Sequence, residues 1–280
     1  MAKKNEDINL QVRFRMIKEK INIEGVEETM FVPLIARALE SKKKNPAFYD
    51  AVAVRVMETL NYDFSKHKAK MNMWGCAART IILDREVKSF IAKNPDCSII
   101  NIACGLDDRF SRVDNGTVNW YNVDLENIIN IRKNIFEHQN RRVDIARSIL
   151  DYSWIEEIKN KENVLIVAEG ILMYFTENEV KDLFQMIAKS FPKCSLVIEI
   201  MSEFMLKNQK KHETIKKTTA KFKWGIKEVT DFVHLCPDYE YVRECNFTTE
   251  MKRFAPIRIG LISPMLKSIN NKIGIFNKRN

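Results

Sequence analysis

A chain of 280 residues with 45% hydrophobic and 30% charged side chains can bury a substantial core, which excludes a disordered or fibrous protein. The formal net charge of +9 comes mainly from lysine, which reads as a solvated surface, because base and phosphate recognition favours arginine forks. No apolar run approaches the roughly 20 residues of a membrane span, and six cysteines without a C-x-x-C pair or a histidine at metal spacing indicate neither a disulfide framework nor a metal site. The opening MAKKNEDINLQVRF has no apolar segment of signal-peptide type, so a cytoplasmic chain with neither a membrane nor a nucleic-acid partner is expected.

Residues 1 to 24 read as a polar arm. Met30 to Leu39 is apolar with Pro33 near its start, where a missing N–H is tolerated, and predicts a helix over 33–41. After the loop Lys42 to Asn45, Ala51 to Leu60 is again helical, and Ser65 to Lys70 is basic and turn-like. Met71 to Lys93 predicts a long helix with Ala78, Ile81, Ile82, Phe90 and Ile91 on one side, stopped by Asn94-Pro95. Arg79 within it reads, on its own, as a surface charge.

Ser98 to Cys104 has strand length and stops at Gly105, and Leu106-Asp107-Asp108-Arg109 then opens a helix. The turn pair Asn115-Gly116 leads to a second strand containing Val118, Trp120, Tyr121 and Val123. That strand ends on Asp124, 19 residues beyond Gly105. A glycine turn lets a ligand approach the backbone, and a carboxylate at the tip of the next strand accepts hydrogen bonds from ribose hydroxyls. A single glycine is a poor pyrophosphate cradle, so the pattern points to a nucleoside without phosphates, as in S-adenosylmethionine. The alternative is an ordinary βαβ unit whose Asp124 caps the next helix.

Leu125, Ile128, Ile129, Ile135 and Phe136 predict a covering helix. Asp144 to Leu150 reads as a strand ending at Asp151, which by itself is an N-cap before Tyr152-Ser153-Trp154. Asn163 to Ala168 is a buried strand followed by Glu169-Gly170, an acid where open α/β sheets bind ligands. Thr176 to Phe191 is an amphipathic helix with a capping box from Thr176 and Glu179, and Leu196 to Ile200 is a further strand. Lysine-rich Ser202 to Lys227 is too long for a plain loop and reads as a cap over a substrate pocket, with Phe222 and Trp224 turned inward. Tyr239 to Asn246 and Arg258 to Ser263 are expected as an antiparallel closing pair, with a short helix and a basic end from Met265.

The runs NIACGLDDRF, WYNVDLE, SILDYSW and AEGILMYF, preceded by GVEETMFVPLIARALES, resemble the leucine carboxyl methyltransferase superfamily of class I methyltransferases, in its polyketide O-methyltransferase, tetracenomycin methylase-like branch. The resemblance covers residues 25 to about 200. It implies a Rossmann-like α/β fold with a seven-stranded, mostly parallel sheet. The whole chain is then one methyltransferase domain: an N-terminal helical region (1–95), a cofactor-binding core (96–200), a cap insertion (201–235), and closing strands with a tail (236–280). It also implies S-adenosyl-L-methionine as cofactor, with Arg79 on the methionine carboxylate, Ala103 and Gly105 in the turn, and Asp124 with Leu125 at the ribose. Ser148, Ile149 and Asp151 fall at the adenine, and Glu169 faces the cofactor. Two departures flank the turn: Ala103 stands where the family usually has glycine, and Asp108 where it has threonine.

The implied activity is S-adenosylmethionine-dependent O-methylation of a carboxyl or hydroxyl group on a small polyketide-like or aromatic molecule. The acceptor side is expected to include Tyr174, His212 and Trp224. Alignment of an oxygen with the methyl does most of the work, so no catalytic base is assigned, and His67, His138, His212 and His234 are candidates by type alone. Two other readings stay open at this point. One is a nicotinamide-dependent oxidoreductase, which the missing glycines oppose; the other is a basic RNA-binding module on the same fold, motivated by Ala103, Asp108 and the lysine-rich cap.

Overall fold

The computed structural model describes residues 30–59, 70–209 and 221–279. The expected N-terminal arm, the turn at 65–69, His67, His212 and the middle of the cap lie outside the described residues. Three helices precede the sheet: α1 (Phe31–Ser41), α2 (Ala51–Thr59) and α3 (Lys70–Lys93), with α1 packed on both others. The sheet then alternates with helices: β1 (Ser98–Ile102), α4 (Arg109–Val113), β2 (Asn119–Asp124), α5 (Glu126–Ile135), β3 (Arg142–Ala146), β4 (Val164–Ala168), α6 (Glu177–Ser190) and β5 (Cys194–Ile200). The chain closes with α7 (Glu203–Lys207), α8 (Phe232–Leu235), β6 (Tyr239–Asn246), α9 (Phe247–Met251), α10 (Pro256–Ile269) and β7 (Lys272–Lys278).

The sheet has seven strands in the order β3-β2-β1-β4-β5-β7-β6; β1 to β5 run parallel, and β7 is antiparallel to both of its neighbours. The order reverses direction between β1 and β4, so a crevice opens beyond their carboxyl ends. β1 and β4 are buried at every position, as strands covered on both faces must be. Period-two alternation sends Ile100, Ile166 and Leu196 to the face covered by α6 and α8, and Ile99, Leu165 and Val197 to the face covered by α3, α9 and α10. The capping box of α6 forms in both directions between Thr176 and Glu179.

Two expectations about the strands are corrected. The third strand ends at Ala146 rather than Leu150, because its partner β2 ends at Asp124 and the Arg147 N–H turns back to the Asp124 carbonyl at 2.9 Å. Arg258 to Ser263 is not a strand; it lies inside α10, where Pro256 occupies the first turn and Ile259, Ser263 and Leu266 are buried at helical spacing. The closing partner of β6 is β7 in the expected tail.

The described feet of the cap are tied down. The side chain of Gln209 accepts from the Phe222 N–H (2.9 Å) and donates to the Phe222 carbonyl (3.1 Å), and the Lys223 N–H donates to the Met173 carbonyl (2.7 Å). Among the described residues, no helix is long and apolar enough to cross a membrane.

Candidate active site

A cavity of about 800 Å³ opens at the carboxyl ends of β1, β2, β4 and β5 and runs beneath α1, α3 and the foot of the cap. One end is polar and backbone-rich; the other is lined by methionine and aromatic side chains.

The polar end begins at the turn after β1. Ala103 and Gly105 both have left-handed backbone, with φ of 50° and 49°, a conformation that strains alanine and leaves glycine free. The Gly105 N–H donates to one oxygen of Asp124 (2.7 Å), and the Leu125 N–H donates to the other (2.8 Å). Behind the turn, buried Arg132 donates to the carbonyls of Gly105 (2.7 Å) and Asp107 (2.9 Å). Burial pushes the Asp124 carboxyl up from its ordinary range, and the two backbone N–H groups oppose that shift. Ala103 lines the cavity and Asp108 does not: its buried carboxylate accepts from Arg142 at 3.2 Å. Of the two departures from the family pattern, only the methyl group therefore faces a ligand.

A buried chain of ion pairs supports this end. Arg37 pairs with Asp50; Arg112 with Asp50, Asp84 and Asp107; Arg109 with Asp84, Asp107 and Glu169; and Arg79 with Glu169 and Glu199, all between 2.7 and 3.0 Å. Five carboxylates meet four guanidiniums in this network, leaving one excess negative charge within it. Burial pushes the Glu169 carboxyl up, but Arg79 and Arg109 more than reverse this and hold it below its ordinary range. Burial likewise opposes the charge on Arg79, and Glu169 and Glu199 restore it and raise its pKa.

Arg79 is therefore not the surface charge its helix alone suggests. It is buried, lines the cavity, and has both terminal nitrogens engaged by carboxylates. Gly170 follows Glu169 with φ of 67°, and an added Cβ there would sit 3.3 Å from the Arg79 guanidinium, so the close approach needs glycine. The Gly170 N–H donates to Glu199 at 2.8 Å, and Asn271, just before β7, donates to the other Glu199 oxygen at 2.8 Å.

Of the expected adenine-side residues, Ser148 and Ile149 line the cavity and Asp151 does not. The Asp151 carboxylate is half-exposed and accepts from the Ser153 N–H (3.2 Å) and hydroxyl (2.7 Å), which is the N-cap role its neighbours predict. On the acceptor side, Tyr174 lines the cavity with its ring 5.5 Å from that of Phe222. Phe222 and Trp224 both turn inward as expected, but Trp224 is buried in the core under α6 and α8 and does not line the cavity, whereas Phe222 does. Single-sequence reading missed Glu199, Arg109 and Asn271. A lone acid in the apolar run CSLVIEI was the available signal for Glu199.

The leucine carboxyl methyltransferase family model matches residues 31–188. The tetracenomycin polyketide synthesis O-methyltransferase TcmP of Streptomyces glaucescens is 30% identical over 210 residues, 74% of this chain and 78% of that protein. This chain belongs to the leucine carboxyl methyltransferase family. It is an S-adenosylmethionine-dependent methyltransferase, which removes the nicotinamide oxidoreductase and the non-catalytic module from consideration. Solved structures agree at the level of the fold. A protein of Thermobifida fusca YX described as a candidate methyltransferase superposes with a TM-score of 0.60 at 14% identity, covering 89% of this chain and 94% of that one. Magnesium protoporphyrin IX methyltransferase of Synechocystis PCC 6803, with bound S-adenosylhomocysteine, gives 0.50 at 10% identity over 75% and 87%.

Proposed function

We propose that this methyltransferase transfers the methyl group to a carboxyl or hydroxyl oxygen of a small, flat, largely apolar acceptor of aromatic or polyketide-like type. The observation that carries this reading is the division of one cavity into two chemically different ends. Gly105, Asp124, Ser148 and Glu169 lie at one, and Met173, Tyr174, Met201, Met205 and Phe222 at the other.

The residues at the polar end fit the cofactor. Each Asp124 oxygen takes one backbone N–H and the Cys104 thiol also hydrogen-bonds to this carboxylate, which leaves acceptor capacity for a ribose hydroxyl. Leu125 sits beside it, Ser148 and Ile149 supply a hydroxyl and an apolar surface suited to an adenine edge and face, and Asp151 is left out of the assignment. The excess carboxylate of the ion-pair network gives this end a negative field, which suits a cationic ligand. S-adenosylmethionine supplies, when bound, an electrophilic methyl group on a sulfonium. Arg79, aimed by Glu169 and Glu199, is assigned to the methionine carboxylate through the second hydrogen on each terminal nitrogen, which those two pairs leave over.

At the other end, Tyr174 and Phe222 offer aromatic faces, and Met173, Met201 and Met205 adapt to the acceptor's outline. The carboxylates lining the cavity are already engaged: Glu169 by Arg79 and Arg109, Asp107 by Arg109 and Arg112, Glu199 by Arg79. With these carboxylates held by guanidiniums and not free to take a proton, an acceptor that arrives ionised, such as a carboxylate, needs less from the cavity than a phenol, whose proton is lost only at a pH of about 10. Resemblance to TcmP at 30% identity supports the same class. The test is methyl transfer from isotopically labelled S-adenosylmethionine to a panel of aromatic acids, phenols and amines. Labelled methyl esters or ethers are expected; labelling confined to amines would overturn the reading.

A further inference from the structure

The helix α10 carries a feature that methyl transfer does not use. Ile257, Leu261 and Met265 stand at 80%, 81% and 58% exposure, spaced four residues apart, so they form one apolar stripe along the helix. Buried Ile259, Ser263 and Leu266 face the opposite way, into the core beside α3. At about 100° per residue, Arg258 lies to one side of the stripe and Lys267 to the other. Both are exposed, as are Lys252 and Arg253 in the turn that leads into the helix. Between Phe247 and Ile269 the one acid is Glu250, which is buried and held by Arg85 and Arg253.

Exposed large aliphatics flanked on both sides by cations, with no free acid between Phe247 and Ile269, match the chemistry of an anionic lipid surface. The apolar stripe enters the headgroup boundary while the basic side chains reach the phosphates along their own aliphatic stems. A second copy of the chain fits this face poorly, since pairing identical surfaces brings Arg258 and Lys267 against like charges and residues 247–269 offer no free carboxylate to meet them. Position adds to the argument. Phe247 and Met251, just before α10, and Asn270, just after it, line the cavity. A surface touching α10 therefore lies next to a pocket whose far end is apolar. A helix lying on a membrane needs no spanning length, so the short apolar runs of the sequence do not bear on it.

We propose that α10 docks the methyltransferase on the surface of anionic membranes. The experiment is cosedimentation of the full chain with large unilamellar vesicles of phosphatidylcholine, pure or with about a third phosphatidylglycerol, at low and high salt. Binding to the anionic vesicles is expected, weakened at least tenfold by Leu261→Glu and severalfold by Arg258→Glu combined with Lys267→Glu or by high salt. Absence of binding at low salt, or equal binding to both vesicle types without sensitivity to the charge reversal, would overturn the proposal. So would a concentration-dependent dimer that Leu261→Glu dissolves in a chain that ignores vesicles, since the occupant is then a second copy. Each variant is checked for an S-adenosylhomocysteine-induced rise in melting temperature, and Leu261→Ser replaces Leu261→Glu should the latter fail to fold.

Discussion

The two ends of the cavity are built on opposite physical principles. At the proposed cofactor end the carboxylates are engaged: Asp124 by two backbone N–H groups, Glu169 by Arg79 and Arg109, and Glu199 by Arg79, Gly170 and Asn271, while the buried Arg79 Nε, Arg132 Nη2 and Asn271 Oδ1 have no partner among the described residues. Such a network costs desolvation energy, and it holds its members in one geometry. At the acceptor end Met173, Met201, Met205, Tyr174 and Phe222 meet through apolar contact, with thioethers that change rotamer cheaply. A rigid end suits a ligand that is the same in every turnover; an adaptable end suits an apolar body to which the lining must mould itself. Mutations should therefore act differently at the two ends: on folding and cofactor affinity at the first, on acceptor recognition at the second.

The largest effect is expected from Arg109→Ala. Its side chain is fully buried and serves Asp84, Asp107 and Glu169, so its removal takes one of two guanidiniums from each of three buried carboxylates and leaves the network with two excess negative charges. A loss of about 3 to 5 kcal/mol in urea unfolding is expected; a loss below about 1 kcal/mol would show that the network is not what makes this end rigid. Next comes Asp124→Ala, which removes the acceptor of the Gly105 and Leu125 N–H groups. Charged hydrogen bonds are worth about 1.5 to 3 kcal/mol each, so calorimetric titration with S-adenosylhomocysteine should show at least a tenfold loss. Wild-type affinity would remove Asp124 from the proposed site.

Acid should act on the rigid end first. Burial pushes the carboxyls of Asp50, Asp107 and Glu169 up, and the guanidiniums around them more than reverse it, so all three are held low in the folded state. Groups lowered in this way stabilise the fold fully above their unfolded values near 4, and that stabilisation is lost as pH falls through the folded values. Asp124 has the opposite sign: burial raises it, so its ionised form costs stability, and the cost fades as pH falls. Urea unfolding from pH 7 downward should therefore show the main loss below pH of about 4. A flat profile in that range would show that the pairs contribute no net stability.

Smaller effects should sharpen the contrast at the apolar end. Phe222→Ala is expected to raise the acceptor KM severalfold while leaving the Kd for S-adenosylhomocysteine unchanged; a change in Kd alone would place Phe222 on the cofactor instead. The smallest is Trp224→Phe. The indole Nε1 of Trp224 is buried without a hydrogen-bond partner among the described residues, so replacement by phenylalanine should move stability by less than about 1 kcal/mol and leave acceptor KM as it was. A severalfold rise in KM would return Trp224 to the acceptor pocket.

Local order in the chain was enough for much of this molecule. Gly105, Asp124, Glu169 and the capping box at Thr176 are legible because turn, strand tip and helix start are short-range features with period-two or 3.6 patterning around them. The long helix that carries Arg79 was legible for the same reason. What the pattern could not carry was competition between distant segments. Arg258 to Ser263 has strand-like composition, yet helical spacing of Ile259 and Leu266 against the core prevailed, and β7 took the place beside β5. Asp151 reads equally as ligand or cap until the geometry shows its oxygen on Ser153. The pairing of Arg79 with Glu169 and Glu199, 120 residues from it, and the depth of Trp224 were decided by tertiary structure alone. Charge pairing and burial depend on which surfaces meet, and in a parallel sheet those surfaces come from strands that the sequence separates by whole helices.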